Sequence, residues 1–160
     1  MKIAVGSDER TVLTDAVIAS LRQRGAELEL YGPLAGEEMA WPDVAERVAE
    51  RVSRSHCPEG ILFCWTGTGV SIAANKVPGV RAALCADAET ARGARRWNHA
   101  NILVLSLRAV SPAVGEEILD AWFSTPFGSE EDQANVAKVT ALETKYQLSH
   151  RLCPESIEGR

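Results

Sequence analysis

Gly60-Ile61-Leu62-Phe63-Cys64-Trp65-Thr66-Gly67-Thr68-Gly69-Val70-Ser71 decides how this chain folds. Gly60–Cys64 is an apolar run of strand length that passes without a spacer into closely spaced glycines. A short helical pattern follows near Ser71–Lys76. A strand feeding a glycine turn that opens a helix is the repeating unit of a parallel α/β sheet. The same unit recurs outward in both directions. Lys2–Gly6 predicts a buried strand and Thr11 to Arg24 a helix stopped at Gly25, and Glu27–Tyr31 predicts a second strand ended by Gly32-Pro33. Pro42 fits a first helical position, with Val44, Val48 and Val52 repeating at helical spacing. Beyond the central stretch, Val80–Cys85 predicts a fourth strand and Asp87 a cap for a helix over Ala88–Trp97. Ile102–Leu105 predicts a fifth strand, Ser111-Pro112 opens a helix to about Phe123, Thr125–Ser129 reads as a loop, and Glu131–Leu148 as a long final helix.

Strands this apolar imply a parallel sheet covered on both faces, a Rossmann-like three-layer sandwich with five strands. In such sheets ligands bind beyond the carboxyl ends of the strands. Three segments are therefore expected at the site: Ser7-Asp8-Glu9-Arg10, Cys64–Ser71, and the turn before the fifth strand. Residues 1–150 are read as a single domain and 151–160 as a tail. The closing Ile157-Glu158-Gly159-Arg160 matches a protease recognition sequence used in expression vectors, with a natural frayed end as the alternative.

The bulk properties exclude several classes. A net charge of −5 with no Lys/Arg-rich run argues against nucleic acid. No apolar stretch approaches the roughly 20 residues that cross a bilayer. The amino terminus turns polar by Ser7-Asp8, too soon for a signal peptide, so a cytoplasmic location is expected. Cys57, Cys64, Cys85 and Cys153 contain no CxxC pair and read as free thiols. His56, His99 and His150 show no metal-ligand spacing with them, so neither metal nor cofactor is expected.

The chemistry concentrates at Cys64 and the glycines after it. A turn that opens a helix directs backbone N–H groups outward at the positive end of the helix dipole, a nest able to hold an enediolate or a phosphate. A cysteine at its mouth is placed for proton transfer, since such donors favour a thiolate. The alternative is a buried structural cysteine beside a tight turn.

At this point the sequence resembles ribose-5-phosphate isomerase B and the galactose-6-phosphate isomerase subunits. The resemblance lies in Ile72-Ala73-Ala74-Asn75-Lys76-Val77-Pro78-Gly79-Val80-Arg81-Ala82-Ala83-Leu84-Cys85. It extends to Gly6-Ser7-Asp8, Trp41-Pro42-Asp43, Asn98 with Asn101, and Trp122 with Thr125-Pro126-Phe127, and so covers residues 1 to about 145. It implies aldose–ketose isomerisation of a sugar phosphate without metal, in a homodimer or tetramer whose active site lies at the subunit interface. It assigns Cys64 as the base and Thr66 as the hydroxyl associated with it. Gly67, Thr68, Gly69, Val70 and Ser71 become the nest for the enediolate, and Asp8, Asn98 and Arg108 substrate contacts.

Several positions depart from the family. Glu9 follows the first aspartate where histidine is usual, and Trp97 stands at the ring-opening histidine, with His99 two residues on. His99 reads either as a replacement for that histidine or as a polar residue at a helix end. Glu131 and Asn135 replace two arginines that grip phosphate; Arg10, Arg108 or Lys138 could compensate, or could be ordinary solvated charge. Trp65 replaces a glycine and Trp41 a tyrosine, each either a wall of the pocket or an interface residue. Three readings remain: a pentose- or hexose-phosphate isomerase with a relocated phosphate grip, an isomerase for a short or non-phosphorylated sugar, and a non-catalytic sugar-binding subunit that needs a partner.

Overall fold

Alternate residues of a strand face opposite sides of its sheet, so an apolar strand needs helices on both faces. The computed structural model describes the backbone of residues 1–152 and the side chains of residues 1–146. The chain forms β1 (Lys2–Ser7), α1 (Val12–Gln23), β2 (Glu27–Tyr31), a 3₁₀ turn (Gly32–Ala35), α2 (Trp41–Ser53) and β3 (Glu59–Cys64). It continues with α3 (Thr68–Ala74), β4 (Ala82–Leu84), α4 (Ala88–Asn98), β5 (Ile102–Ser106), α5 (Pro112–Ser124) and α6 (Glu130–Leu152). All strand pairs are parallel, in the order β2-β1-β3-β5-β4. This is the expected α/β, Rossmann-like three-layer fold. Cys153 and the rest of the closing tail lie outside the described residues.

Ile3, Val5, Ile61, Phe63, Leu103 and Leu105 face one side, against α1, α4 and α5. Ala4, Leu62, Cys64, Ile102 and Val104 face the other, against α2 and α3. Two bare backbone positions draw α2 close to the sheet. A β carbon on Gly6 would lie 2.6 Å from Val44 Cγ1, and one on Gly60 2.8 Å from Val48 Cγ1. Val44 and Val48 are thereby fully buried, worth roughly 1.5–3 kcal/mol each. The close fit also sets Trp41, at the start of α2, beside the carboxyl edge of the sheet.

At the opposite edge a charged pair is held inside. Glu59 accepts from Trp122 Nε1 at 2.7 Å and pairs with Arg95 at 2.7 Å. The Arg95 guanidinium lies over the rings of Trp122 and Phe127, 4.9 and 4.6 Å from their centroids. The pair ties the start of β3 to α4 and α5. Among the described residues no helix is long and apolar enough to cross a membrane.

Most boundaries shift by a residue or so and α6 runs on to Leu152, while three differences have a clear physical reason. The helix after β3 starts at Thr68 rather than near Ser71, because Gly67 alone makes the left-handed turn, at φ +78°. The fourth strand is confined to Ala82–Leu84, because Asn75 and Asn101 take up backbone groups of its approach. Pro42 is the second residue of α2, after Trp41.

Candidate active site

Cys64 is the last residue of β3 and pairs across the sheet with Ser106, the last residue of β5. Its carbonyl accepts from Gly67 N at 3.2 Å and from Leu107 N at 3.0 Å, so the strand end is fixed from both sides. The Trp65 carbonyl accepts from Ser106 Oγ at 2.9 Å and from Arg108 N at 3.1 Å. Cys64 is 6% exposed and lies within the buried cluster that packs the sheet against α2 and α3.

The nest is narrower than Gly67–Ser71. Gly67 N turns inward to Cys64, and Ser71 N donates to Gly67 O at 3.2 Å. The amides of Thr68, Gly69 and Val70 remain as the first-turn donors that a helix leaves unpaired. The Thr66 and Thr68 hydroxyls pair with each other at 2.7 Å, and both residues are exposed. A β carbon on Gly69 would lie 3.1 Å from Trp41 Cε3, so this glycine makes room for the indole and carries no turn.

Asp8 follows Ser7, which is in register with Phe63, so Asp8 leaves the sheet beside Cys64. One Asp8 oxygen, Oδ1, is buried without a partner among the described residues. Burial raises the Asp8 carboxyl above its ordinary value, with a further rise from Glu9, opposed by a bond from its own backbone. Asp8 opens onto a cleft of about 560 Å³ lined also by Pro33, Glu38, Met39 and Ala40. Glu9 is exposed, and its carbonyl accepts from Ser7 Oγ at 2.5 Å. Arg108 is exposed two residues beyond Ser106, while Arg10 is bonded to Asp15 at 2.8 Å.

The third expected segment is not at this edge. The turn from Asn98 to Asn101 enters β5, and an entry loop lies at the opposite end of a parallel strand from an exit loop. Ile102 and Ser106 are four residues apart, about 13 Å along a strand. Trp97 and Asn98 instead line a groove of about 520 Å³ with Asn75, Arg81, Asn135 and Glu143. Lys138 Nζ reaches Asn135 Oδ1 at 3.0 Å beside it, and Glu131 is exposed in the first turn of α6. His99 caps α4 at φ 47°, its ring stacked on Phe127 at 4.4 Å and its Nε2 buried without a partner among the described residues. One chain therefore places these residues at opposite edges of the sheet, with Cys64 and Asp8 at one and Trp97, Asn98 and Asn135 at the other.

A family model described as Ribose/Galactose Isomerase matches residues 3–139. The chain belongs to this family. Several of its relatives are named as sugar-phosphate isomerases. Ribose-5-phosphate isomerase B of Escherichia coli is 35% identical over 145 residues, 90% of this chain and 97% of that protein. D-erythrulose-4-phosphate isomerase of Pectobacterium atrosepticum is 35% identical over 153 residues, 94% of this chain and 99% of that protein. The structure of Clostridium thermocellum ribose-5-phosphate isomerase B superposes with a TM-score of 0.86 at 40% identity, covering 91% of this chain and 99% of that one.

One residue and one contact escaped sequence reasoning. Ser106 braces the Trp65 carbonyl, and its signal was a serine closing the apolar run Ile102–Leu105. Trp41 was noted as a possible wall, but its contact with Gly69 joins α2 to α3 through space and leaves no mark in either stretch.

Proposed function

We propose that this chain is an aldose–ketose isomerase of a sugar phosphate, with Cys64 moving a proton between C1 and C2 through an enediolate. The observation that carries the reading is the meeting of Cys64, the free amides of Thr68–Val70 and the unpartnered Asp8 oxygen at one sheet edge. Removing a proton next to a carbonyl needs a base on one side and fixed donors for the developing oxyanion on the other. Asp8 Oδ1 is an acceptor for a sugar hydroxyl. Arg108 has no partner for its guanidinium among the described residues and is available to a phosphate on this edge.

The placement of these residues at opposite edges supports a homodimer in which the Trp97–Asn98–Asn135 groove of a second copy completes the pocket, with a tetramer as a dimer of dimers. A thiol base also needs a reducing compartment, so the reading assigns the chain to the cytoplasm; Cys57, Cys64 and Cys85 are free.

A second reading of the substrate is a four-carbon sugar phosphate. A tetrose phosphorylated on its terminal oxygen cannot close a furanose ring, so no acid is needed to open it. Trp97 holds the position that the resemblance gives to the ring-opening histidine, and the His99 ring is packed on Phe127. The resemblance to a D-erythrulose-4-phosphate isomerase over 94% of the chain favours the same choice. Conversion of D-erythrulose 4-phosphate and of ribulose 5-phosphate, measured side by side, decides between them. Turnover of either that disappears in Cys64→Ala supports the isomerase, and turnover of neither would favour a binding subunit.

A further inference from the structure

Two hydroxyls pair with each other in the turn after Cys64, and no capping role accounts for the contact. Gly67, the residue before α3, supplies no side-chain cap, and the Thr68 hydroxyl bonds Thr66 Oγ1 rather than any backbone group. Within a pair of hydroxyls 2.7 Å apart, one proton is spent between the oxygens and the other is left directed outward. Thr66 and Thr68 are both exposed, so that proton is available to a bound molecule.

We propose that Thr68 is a positioning residue, which holds the Thr66 hydroxyl in the orientation that carries a proton between the two substrate oxygens. The inference rests on the isomerase reading above. Isomerisation of an aldose moves two protons. One leaves C2 for the Cys64 thiolate and returns to C1. The other leaves the C2 hydroxyl, which becomes the carbonyl, and must appear on O1, which becomes a hydroxyl. A hydroxyl does this without net change: its oxygen accepts the proton from O2 as its own proton passes to O1. The C–O bond orders exchange, and nothing is oxidised or reduced from outside. An unheld hydroxyl rotates among three positions; in the proposed arrangement the Thr68 hydroxyl donates to Thr66 Oγ1, which selects one of them and leaves the Thr66 proton for O1.

The test separates carbon from oxygen proton transfer. Wild type, Thr68→Val and Thr68→Ser are incubated in D2O with D-erythrulose 4-phosphate or ribulose 5-phosphate. Deuterium entering the recovered ketose at C1 reports enediolate formation, and aldose formed reports completed isomerisation. In Thr68→Val conversion falls by about tenfold, a small part of what general acid–base groups supply, while exchange falls much less. The ratio of exchange to conversion therefore rises, and Thr68→Ser restores it. Equal losses of exchange and conversion would show that Thr68 only shapes the loop and would overturn the proposal, as would a Thr68→Val enzyme that matches wild type. A wild-type protein without exchange would remove the isomerase reading itself, and the inference with it.

Discussion

Replacing Gly67 by alanine strains the turn after Cys64 in two ways. The residue sits at φ +78°, where an L-residue costs roughly 1–2 kcal/mol. The new β carbon would lie 2.4 Å from Leu84 Cδ1 and 3.4 Å from the Leu105 carbonyl carbon. Leu84 is 37% exposed at its end of an edge strand and can turn aside, so the overlap adds little to stability. The stability loss is therefore about 1–2 kcal/mol, or a fall in Tm of about 2–8 °C for a chain of this size. Activity suffers more. The turn cannot relax toward negative φ without moving the amides of Thr68, Gly69 and Val70, and a shift of about 1 Å costs on the order of 100-fold. Gly25→Ala is the matched control, since Gly25 has φ +78° but nothing within 4 Å of its β carbon and stands at the end of α1. Thermal melts and steady-state conversion of the two ketose phosphates are measured on both variants. Similar melting losses are expected, with turnover lost only in Gly67→Ala. A Gly67→Ala enzyme with wild-type turnover, or a Gly25→Ala enzyme equally impaired, would refute the reasoning.

Arg95→Ala leaves the Glu59 carboxylate inside without its cation, and urea unfolding should show a loss of about 3–5 kcal/mol. An unchanged midpoint would mean the pair is dispensable. Glu29 is held down to about 2 by bonds from Arg51 first and then Lys2, against an ordinary 4.5. Its carboxylate thus stabilises the fold above about pH 4.5, and that contribution drains away as pH falls toward 2. Glu29→Gln should lower stability at neutral pH and flatten the acid side of the profile, as followed by circular dichroism; an equally steep acid limb would contradict the assignment. Burial pushes Cys85 up to about 12 and raises Cys57, where Glu29 adds to the effect. In a Cys153→Ser background iodoacetamide should therefore label Cys64 first at pH 8, as read by peptide mass; labelling led by Cys57 or Cys85 would argue against an accessible base.

The sheet was legible because each strand is an apolar run and each crossover helix carries its own stop or cap. Asp87 and Ser111 before Pro112 are local signals, and each cap forms, while the Thr11–Thr14 capping box was not anticipated. The placement of Cys64 and Asp8 at the carboxyl edge was legible from topology alone, since both lie at the ends of strands. The same rule was misapplied to the turn before β5, which enters its strand and so lies at the far edge with Trp97 and Asn98. The start of α3 was misjudged because Gly67 and Gly69 look alike in sequence. Only Gly67 turns the chain, while Gly69 is small for the sake of an indole 28 residues away in α2. The pairing of Thr66 with Thr68 depends on where that helix begins, and so was equally hidden.

The central claim is that Cys64 transfers the carbon-bound proton. Its most direct test is incorporation of deuterium from D2O into D-erythrulose 4-phosphate and ribulose 5-phosphate, followed by NMR in wild type and in Cys64→Ala. Exchange with at least one of them in wild type is expected, lost by several orders of magnitude in Cys64→Ala although its melting temperature is nearly unchanged. Exchange that survives the removal of the thiol would contradict the account.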